Sequence, residues 1–246
     1  ASRATGARAF TDHHDVLGAV DFVSVATPPS SHFEIARDFL EAGCAVLVEK
    51  PMTVTLAEAE ELVEVARRNH RPLQVGYVNR FSPLMRVVGK LALEPKFIEV
   101  HRLCAFNLRA ADVGVVLDMM IHDVDLVMAL VDSELSDVQA NGFGVLSRTE
   151  DIANARMTFA NGCVANLTAS RLAFTPLRRV RVFSPDSYVS MDFDTHRAFV
   201  VRKSPDFSMG TLEADKLKSM SPDELKVFAL TELATVEELT PEVTAD

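Results

Sequence analysis

The sequence predicts an α/β chain in which a parallel β-sheet is followed by an α+β region with a larger, mainly antiparallel sheet. Two short valine-rich runs, at 21–29 and 46–51, end in turn residues, and a helix-like segment separates them. Buried parallel strands have this continuous apolar character, whereas consecutive strands with short turns indicate an antiparallel sheet. The second pattern begins near residue 97. We therefore expect two domains, over residues 1–78 and 79–246.

The helices of the first domain are predicted from their start and stop signals. Residues 31–34 read Ser-His-Phe-Glu, which is a capping box, and Gly43 is a natural stop for the helix that follows. Residues 55–58 repeat the capping pattern and open a second helix, before a short strand over 72–76. Residues 20–76 thus alternate strand and helix, with crossovers that are almost always right-handed.

The second domain is predicted from a run of β-rich segments separated by turn signals such as Asn161-Gly162. One helical segment, over about 115–131, interrupts them. Residues 204–246 are more polar, and the pattern assigns them no element. The β-rich segments are 97–106, 138–146, 152–160, 163–170, 178–183, 187–193 and 196–202.

The interrupting helix carries three ionisable side chains on an otherwise apolar segment. Asp118, His122 and Asp125 are spaced i, i+4, i+7, which places them on one face of an α-helix. Such groups are costly in a core unless they line a cavity or find partners. An imidazole next to a carboxylate suits proton transfer near neutral pH, whereas the alternative is local hydrogen bonding with no chemistry. With no H-x-x-x-H pair and no nearby cysteine, we expect no metal.

Composition excludes several classes of protein. The net charge of −10 argues against non-specific nucleic-acid binding. The three cysteines are far apart and form no C-x-x-C pair, which indicates reduced thiols rather than a disulfide framework or zinc site. No apolar run approaches the length of about 18 residues that is needed to span a bilayer, and the N-terminus lacks the apolar segment of a signal peptide. We expect a cytoplasmic protein with neither nucleic-acid nor membrane partners.

Across residues 5–203, the chain resembles the glucose-fructose oxidoreductase / inositol dehydrogenase (Gfo/Idh/MocA) family in four sequence motifs and in their order and spacing. The resemblance implies a Rossmann domain and an α+β domain that binds substrate and forms a homodimer or homotetramer. It also implies an NAD cofactor, with NADP not excluded, and oxidation of a secondary hydroxyl of a sugar or polyol. The motifs are Ala-Thr-Pro-Pro-Ser-Ser-His at 26–32, Glu-Lys-Pro at 49–51, Gln-Val-Gly-Tyr-Val-Asn-Arg-Phe at 74–81 and Asp-x-x-x-His at 118–122.

The resemblance also implies roles for individual residues. Lys50 resembles the catalytic lysine between nicotinamide and substrate hydroxyl, His122 the general base, and Asp118 its partner. The residues expected to contact the cofactor are Thr27, Pro28, His32, Glu49, Lys50 and Arg80. The residues expected to contact the substrate are Tyr77, Arg80, Arg102, Arg109, Asp118, His122 and Arg171.

Three further segments, at 120–125, 150–156 and 161–171, look like bacterial UDP-N-acetylglucosamine 3-dehydrogenases within that family. This similarity implies NAD-dependent oxidation of a nucleotide sugar at its 3-hydroxyl, which supplies a 3-keto sugar for amination in lipid A synthesis. Guanidinium groups suit phosphate oxygens, so Arg102, Arg109 and Arg171 are expected to meet the diphosphate, unless they are solvated charges at strand ends. Inositol or a simple sugar is the alternative substrate.

The glycine-rich phosphate loop of a Rossmann domain is not found in the sequence. Gly6 is the only glycine before Gly18, and the one G-x-G, at 142–144, lies among antiparallel strands. We therefore expect the given sequence to be part of a longer enzyme, with at least one strand–helix unit upstream. A non-catalytic ligand-binding or scaffold module is the alternative.

Overall fold

A computed structural model describes residues 6–106, 113–204, 219–228 and 233–239. The chain divides into two compact units, Ala1–Val78 and Asn79–Asp246. Within the described ranges, no helix combines the length and the apolar character needed to cross a membrane.

The first unit is a three-stranded parallel sheet with helices in its crossovers. Its strands are hydrogen-bonded in the order β1-β2-β3. The core consists of strand residues such as Val46 and Val48 and helix residues such as Phe39, Leu40 and Leu62, each at most 2% exposed. The elements are β1 (Phe22–Val25), α1 (His32–Glu41), β2 (Ala45–Val48), α2 (Leu56–Arg68) and β3 (Leu73–Val75).

The two predicted capping boxes have different outcomes. Thr55 and Glu58 form the full reciprocal box at the start of α2, as predicted. At α1 the prediction is wrong, because the Ser31 side chain makes no capping bond. Its hydroxyl instead lies 2.8 Å from Thr27 Oγ1 and 2.9 Å from the Pro28 carbonyl oxygen. The serine therefore stabilises the turn after β1 rather than the helix.

The second unit is built on an eight-stranded sheet, in the order β11-β10-β9-β8-β4-β7-β6-β5. All neighbouring strands are antiparallel except β4 and β7, so the predicted mainly antiparallel sheet is confirmed. The last strand falls in the region to which the sequence assigned no element. The strands are β4 (Phe97–Leu103), β5 (Leu135–Phe143), β6 (Ile152–Phe159), β7 (Val164–Ser170), β8 (Leu177–Ser184), β9 (Ser187–Asp192), β10 (Arg197–Lys203) and β11 (Ala234–Leu239).

Three helices complete the described part of this unit: α3 (Pro83–Val88), α4 (Ile121–Leu130) and α5 (Pro222–Phe228). A π-helical turn, Val116–Met120, leads directly into α4. Single π-turns of this kind occur frequently at functional sites. Leu126 and Val127 of α4 are fully buried in the core that includes β4 and β7.

Two ion pairs hold α4. The Asp123 carboxylate is almost fully buried and accepts from Arg102 of β4, with Nε 2.9 Å from Oδ2 and Nη2 2.6 Å from Oδ1. Burial raises the pKa of Asp123, and the Arg102 guanidinium opposes that shift. Two residues further along α4, Asp125 Oδ2 accepts from Arg80 Nε at 3.1 Å. The helix is thereby fixed to β4 and to the segment that precedes α3.

A third buried pair closes the loop between β5 and β6. Asp151 is fully buried, and its Oδ2 accepts three main-chain amides, from Val145, Leu146 and Ser147, at 2.6–2.9 Å. Its Oδ1 accepts from Arg171 Nε at 2.6 Å. Burial alone would raise the pKa of this carboxyl, but the amide and guanidinium donors outweigh it and hold its pKa well below the usual range.

Substitution Arg102→Met should lower the free energy of unfolding by about 3–5 kcal/mol, because it leaves the Asp123 charge buried without its partner. Urea denaturation measures this change. Arg197→Met is the matched control, since Arg197 pairs with Glu238 on the exposed surface and should matter much less. Adding Asp123→Leu to the Arg102→Met variant should recover part of the loss. A loss no larger than that of the control would contradict the assigned role.

Asp151→Asn should destabilise the protein most near neutral pH. Because the pKa of Asp151 is lower in the folded than in the unfolded protein, its ionised carboxylate stabilises the folded state at pH values above the ordinary carboxyl pKa of about 3.9. This contribution is lost as pH falls. The difference between wild type and variant should therefore shrink below about pH 4, measured by denaturant unfolding across pH. A difference that does not change with pH would show that the carboxylate charge is not what stabilises the loop.

Candidate active site

The carboxyl edge of the parallel sheet gathers four of the residues proposed from the sequence. Thr27 and Pro28 follow β1 and are exposed, whereas Glu49 and Lys50 follow β2 and are half-buried. The Glu49 amide donates to the Val25 carbonyl oxygen at 2.9 Å, which continues the pairing of the two strands past their ends. Ligands of open α/β sheets bind beyond this edge, so these side chains are placed where a cofactor would be met.

His32 holds this edge together from inside. Its ring is 1% exposed, with Nδ1 2.8 Å from the Pro51 carbonyl oxygen and Nε2 2.7 Å from the Thr27 carbonyl oxygen. The imidazole thus joins the turn after β1 to the turn after β2. The ring is buried behind the edge, so its placement supports a positioning role rather than the expected direct contact with a cofactor.

Gly76 ends β3 against the Glu49 carboxylate. A β-carbon at residue 76 would lie 3.0 Å from Glu49 Oε2, tighter than ordinary van der Waals contact. The missing side chain therefore makes room for this carboxylate at the sheet edge. Sequence reasoning named Glu49 and the half-buried Tyr77 as site residues but not this glycine, although a glycine directly after a strand signals a close approach.

In the second unit, Asp118 lies on the π-helical turn and His122 on the first turn of α4. Both side chains are partly exposed. The Asp118 amide donates to the Gly114 carbonyl oxygen at 3.0 Å. Burial raises the pKa of the Cys104 thiol, which directly follows β4, and the negative charge of Asp118 raises it further.

The three polar residues that were predicted to share one helix face do not share one role. Asp125 is buried and bound to Arg80, so it serves the structure of α4. The π-turn also changes the winding between Asp118 and α4, and the simple α-helical spacing used for the prediction does not hold there. Arg80 keeps 43% of its side chain exposed, which is compatible with a further contact.

The expected diphosphate arginines are used inside the protein. Arg102 is 9% exposed and binds Asp123, and Arg171 is 2% exposed and binds Asp151. Arg171 also donates from Nη1 to the Val113 carbonyl oxygen at 2.7 Å. This burial argues against contact with a substrate phosphate. Arg109 lies outside the described residues.

Glu150 is a further residue that sequence reasoning missed. Its Oε1 accepts from the Val116 amide at 3.2 Å, and its carbonyl oxygen accepts from the Val115 amide at 3.1 Å. A β-carbon at Gly114 would lie 1.9 Å from Glu150 Oε1, so a larger residue there would displace the Glu150 carboxylate. Glu150 thus caps the helical start that carries Asp118. Its partner is distant in sequence, and no local spacing rule identifies it.

An apolar groove of about 570 Å³ opens between the helical segment and strands β5 and β6. From the helical segment, Val116, Met120 and Val124 line the groove. These apolar residues alternate along the segment with the polar residues. Glu150 is its one ionisable lining residue among the described part of the chain. The groove therefore offers no acid–base pair from the described residues.

Two family models match the chain. The first, described as the oxidoreductase family with an NAD-binding Rossmann fold, matches residues 1–77. The second, the GFO/IDH/MocA C-terminal domain, matches residues 104–186. The two matches fall on the parallel-sheet unit and on the first part of the large-sheet unit, respectively.

Relatives agree with these matches. UDP-N-acetylglucosamine 3-dehydrogenase of Acidithiobacillus ferrooxidans is 40% identical over 187 residues, which cover 76% of this chain and 60% of the relative. Inositol 2-dehydrogenase 2 of Saccharopolyspora erythraea is 31% identical, over 57% of this chain and 44% of the relative. The chain thus spans three fifths or less of these two curated relatives.

A solved structure of the Acidithiobacillus ferrooxidans enzyme superposes with a TM-score of 0.79 at 35% identity. The match covers 93% of this chain and 76% of that chain. Matches of family, sequence and fold therefore coincide: the chain belongs to the Gfo/Idh/MocA oxidoreductase family.

Proposed function

We propose that this chain supplies the catalytic residues of an NAD-dependent dehydrogenase that oxidises UDP-N-acetylglucosamine at its 3-hydroxyl. The proposal rests on which ionisable side chains of the helical segment are buried in ion pairs and which stay partly exposed. Asp123 and Asp125 are buried in ion pairs, whereas Asp118 and His122, on successive turns, stay partly exposed. One acid and one imidazole of the helical segment thus stay partly exposed beside carboxylates that are already paired.

The carboxyl edge of the first unit fits the nicotinamide end of NAD. Thr27 and Pro28 are exposed there, and Glu49 and Lys50 supply one negative and one positive group at the end of the neighbouring strand. NAD, when bound, supplies the acceptor for a hydride. The described residues include no glycine-rich cradle for the pyrophosphate, so the fit concerns the nicotinamide side.

The proton chemistry is assigned to this chain's own side chains. His122 takes the proton of the substrate hydroxyl, since a neutral imidazole is an effective base near neutral pH. Asp118, on the preceding turn, orients the imidazole and stabilises the imidazolium that forms. The Lys50 ammonium stabilises negative charge that develops on the substrate oxygen. In this proposal Tyr77 and the exposed part of Arg80 contact the substrate.

The nucleotide-sugar substrate is favoured by the 40% identity to UDP-N-acetylglucosamine 3-dehydrogenase. The 31% identity to an inositol 2-dehydrogenase makes inositol the second candidate. Absorbance of reduced nicotinamide, followed with NAD and UDP-N-acetylglucosamine, free N-acetylglucosamine or inositol in turn, separates them. Turnover of inositol alone would replace the proposed substrate. Absence of both NAD binding and turnover would leave a ligand-binding or scaffold module.

We further propose a cytoplasmic homodimer or homotetramer whose product enters lipid A synthesis. Strand β5 supports self-association, because it is an edge strand with every residue exposed, including Val138 at 52% and Phe143 at 66%. Apolar surface on an exposed edge is commonly covered by another chain. Light scattering of the purified protein tests the assembly.

His122→Ala should lower kcat by about 10²–10⁴-fold, because the general base is lost. Binding of the nucleotide sugar, measured by calorimetry, should change little. His196→Asn is the matched control, since His196 is an exposed histidine in a positive-φ turn that asparagine tolerates. Unchanged turnover in His122→Ala would refute its assignment as the base.

Lys50→Met should lower kcat/KM by about 10²–10³-fold, because an electrostatic donor to the developing oxyanion is removed while the chain length is kept. Lys90→Met, at an exposed site of the second unit, is the control for loss of one positive charge. Steady-state kinetics on both variants measure the effect. Equal activity in the two variants would remove Lys50 from the mechanism.

A further inference from the structure

A cluster of two histidines and a carboxylate lies in the first unit, outside the proposed active site. Asp12 caps a 3-10 turn, His13–Val16, that precedes β1. One potential ligand atom from each of Asp12, His13 and His14 lies within 4.8 Å of the others. The two imidazole rings lie with their centroids 4.0 Å apart and their planes tilted by 34°. The proposed dehydrogenase chemistry makes no use of these residues.

The candidate ligand atoms are close together, and one pair of them is at hydrogen-bond distance. Asp12 Oδ1 lies 2.6 Å from His14 Nδ1 and 3.8 Å from His13 Nδ1. Ligands that each bind a zinc-like cation at about 2.0–2.2 Å stand roughly 3–4 Å apart. Small side-chain rotations therefore bring the three atoms around one cation.

A second carboxylate lies behind both rings. Asp38 Oδ2 is 3.0 Å from His13 Nε2 and 3.4 Å from His14 Nε2, and the Asp38 side chain is 16% exposed. Metal-binding histidines characteristically donate the opposite ring N–H to a carboxylate, as His13 does here. The other oxygen of Asp38 lies 3.4 Å from Arg37 Nη2, which leaves Oδ2 for the imidazoles.

Asp38 fixes the ring of His13. Because His13 Nε2 donates to Asp38 Oδ2, the Nδ1 atom of a neutral His13 ring is an acceptor, and it lies 3.8 Å from Asp12 Oδ1. His14 Nδ1 lies 2.6 Å from the same carboxylate oxygen. Two ring nitrogens and one carboxylate oxygen are therefore close together, and at least one of the nitrogens is oriented as a ligand.

We propose that Asp12, His13 and His14 bind one divalent transition-metal cation of the zinc class, with Asp38 as the outer carboxylate. Two imidazoles and one carboxylate favour zinc, cobalt or nickel over magnesium and calcium, which prefer oxygen ligands only. The Asp12 and His14 side chains are 58% and 56% exposed, so water can complete the coordination. This proposal departs from the expectation of no metal, which considered only the helix that carries His122.

The cation would join the segment before β1 to α1, through the bonds to Asp38. Helix α1 begins beside the turn after β1 and runs back along the sheet, so Asp38, in its last turns, lies near the amino edge. Thr27 and Lys50 occupy the opposite, carboxyl edge. The site is therefore structural or regulatory, and its substitution should leave basal turnover unchanged.

Calorimetric titration of the chelator-treated full chain with zinc alone tests the proposal, with visible absorption of added cobalt as a second measure. We expect one saturable equivalent per chain. His14→Ala and Asp12→Asn should weaken binding at least tenfold, and Asp38→Asn by about 10–100-fold through loss of the outer carboxylate. His70→Asn, which removes an exposed histidine of the same unit, should bind as wild type does.

Thermal unfolding supplies the folding control. Without metal, the variants should unfold close to the wild-type temperature, and zinc should raise that temperature in wild type and in His70→Asn but not in His14→Ala. Absence of saturable zinc binding by the wild type would overturn the proposal. Equal affinity in His14→Ala and His70→Asn would also overturn it, since the cation would then be bound elsewhere.

Discussion

The pairing of Arg102 with Asp123 is the interaction on which the second unit depends. A carboxylate in the core costs several kcal/mol unless a well-placed partner compensates it, and the two guanidinium bonds of Arg102 provide that compensation. With Arg80 on Asp125, the pairing fixes both the position and the rotation of α4 against the sheet. Glu150 fixes its start. Asp118 and His122 are therefore presented by a helix with little freedom to turn.

Most strands and helices of both units could be predicted from the sequence, because they depend on local sequence patterns. Valine-rich runs predicted β1 and β2, the capping box at Thr55 predicted the start of α2, and turn signals separated the strands of the large sheet. Ser31 shows the limit of such patterns. Its motif fits a cap, but a nearby threonine and a carbonyl oxygen offered its hydroxyl other partners.

The candidate site was predicted less completely, because sequence reveals charge but not burial or distant partners. Arg102 and Arg171 were expected to face a diphosphate, yet both are interior and bound to carboxylates. Asp123 and Glu150 were not singled out, since their partners lie far along the chain. The π-turn could not be predicted either, because a single i→i+5 turn leaves no periodic pattern in the sequence.

Hydride transfer from the 3-position of the sugar is the central claim about function, and isotope transfer measures it directly. UDP-N-acetylglucosamine with deuterium on carbon 3 would be incubated with NAD and the protein, and the reduced cofactor analysed by mass spectrometry. The account predicts deuterium in the nicotinamide from this substrate and none from substrate labelled on carbon 4. Unlabelled reduced cofactor from the carbon-3 substrate would contradict it.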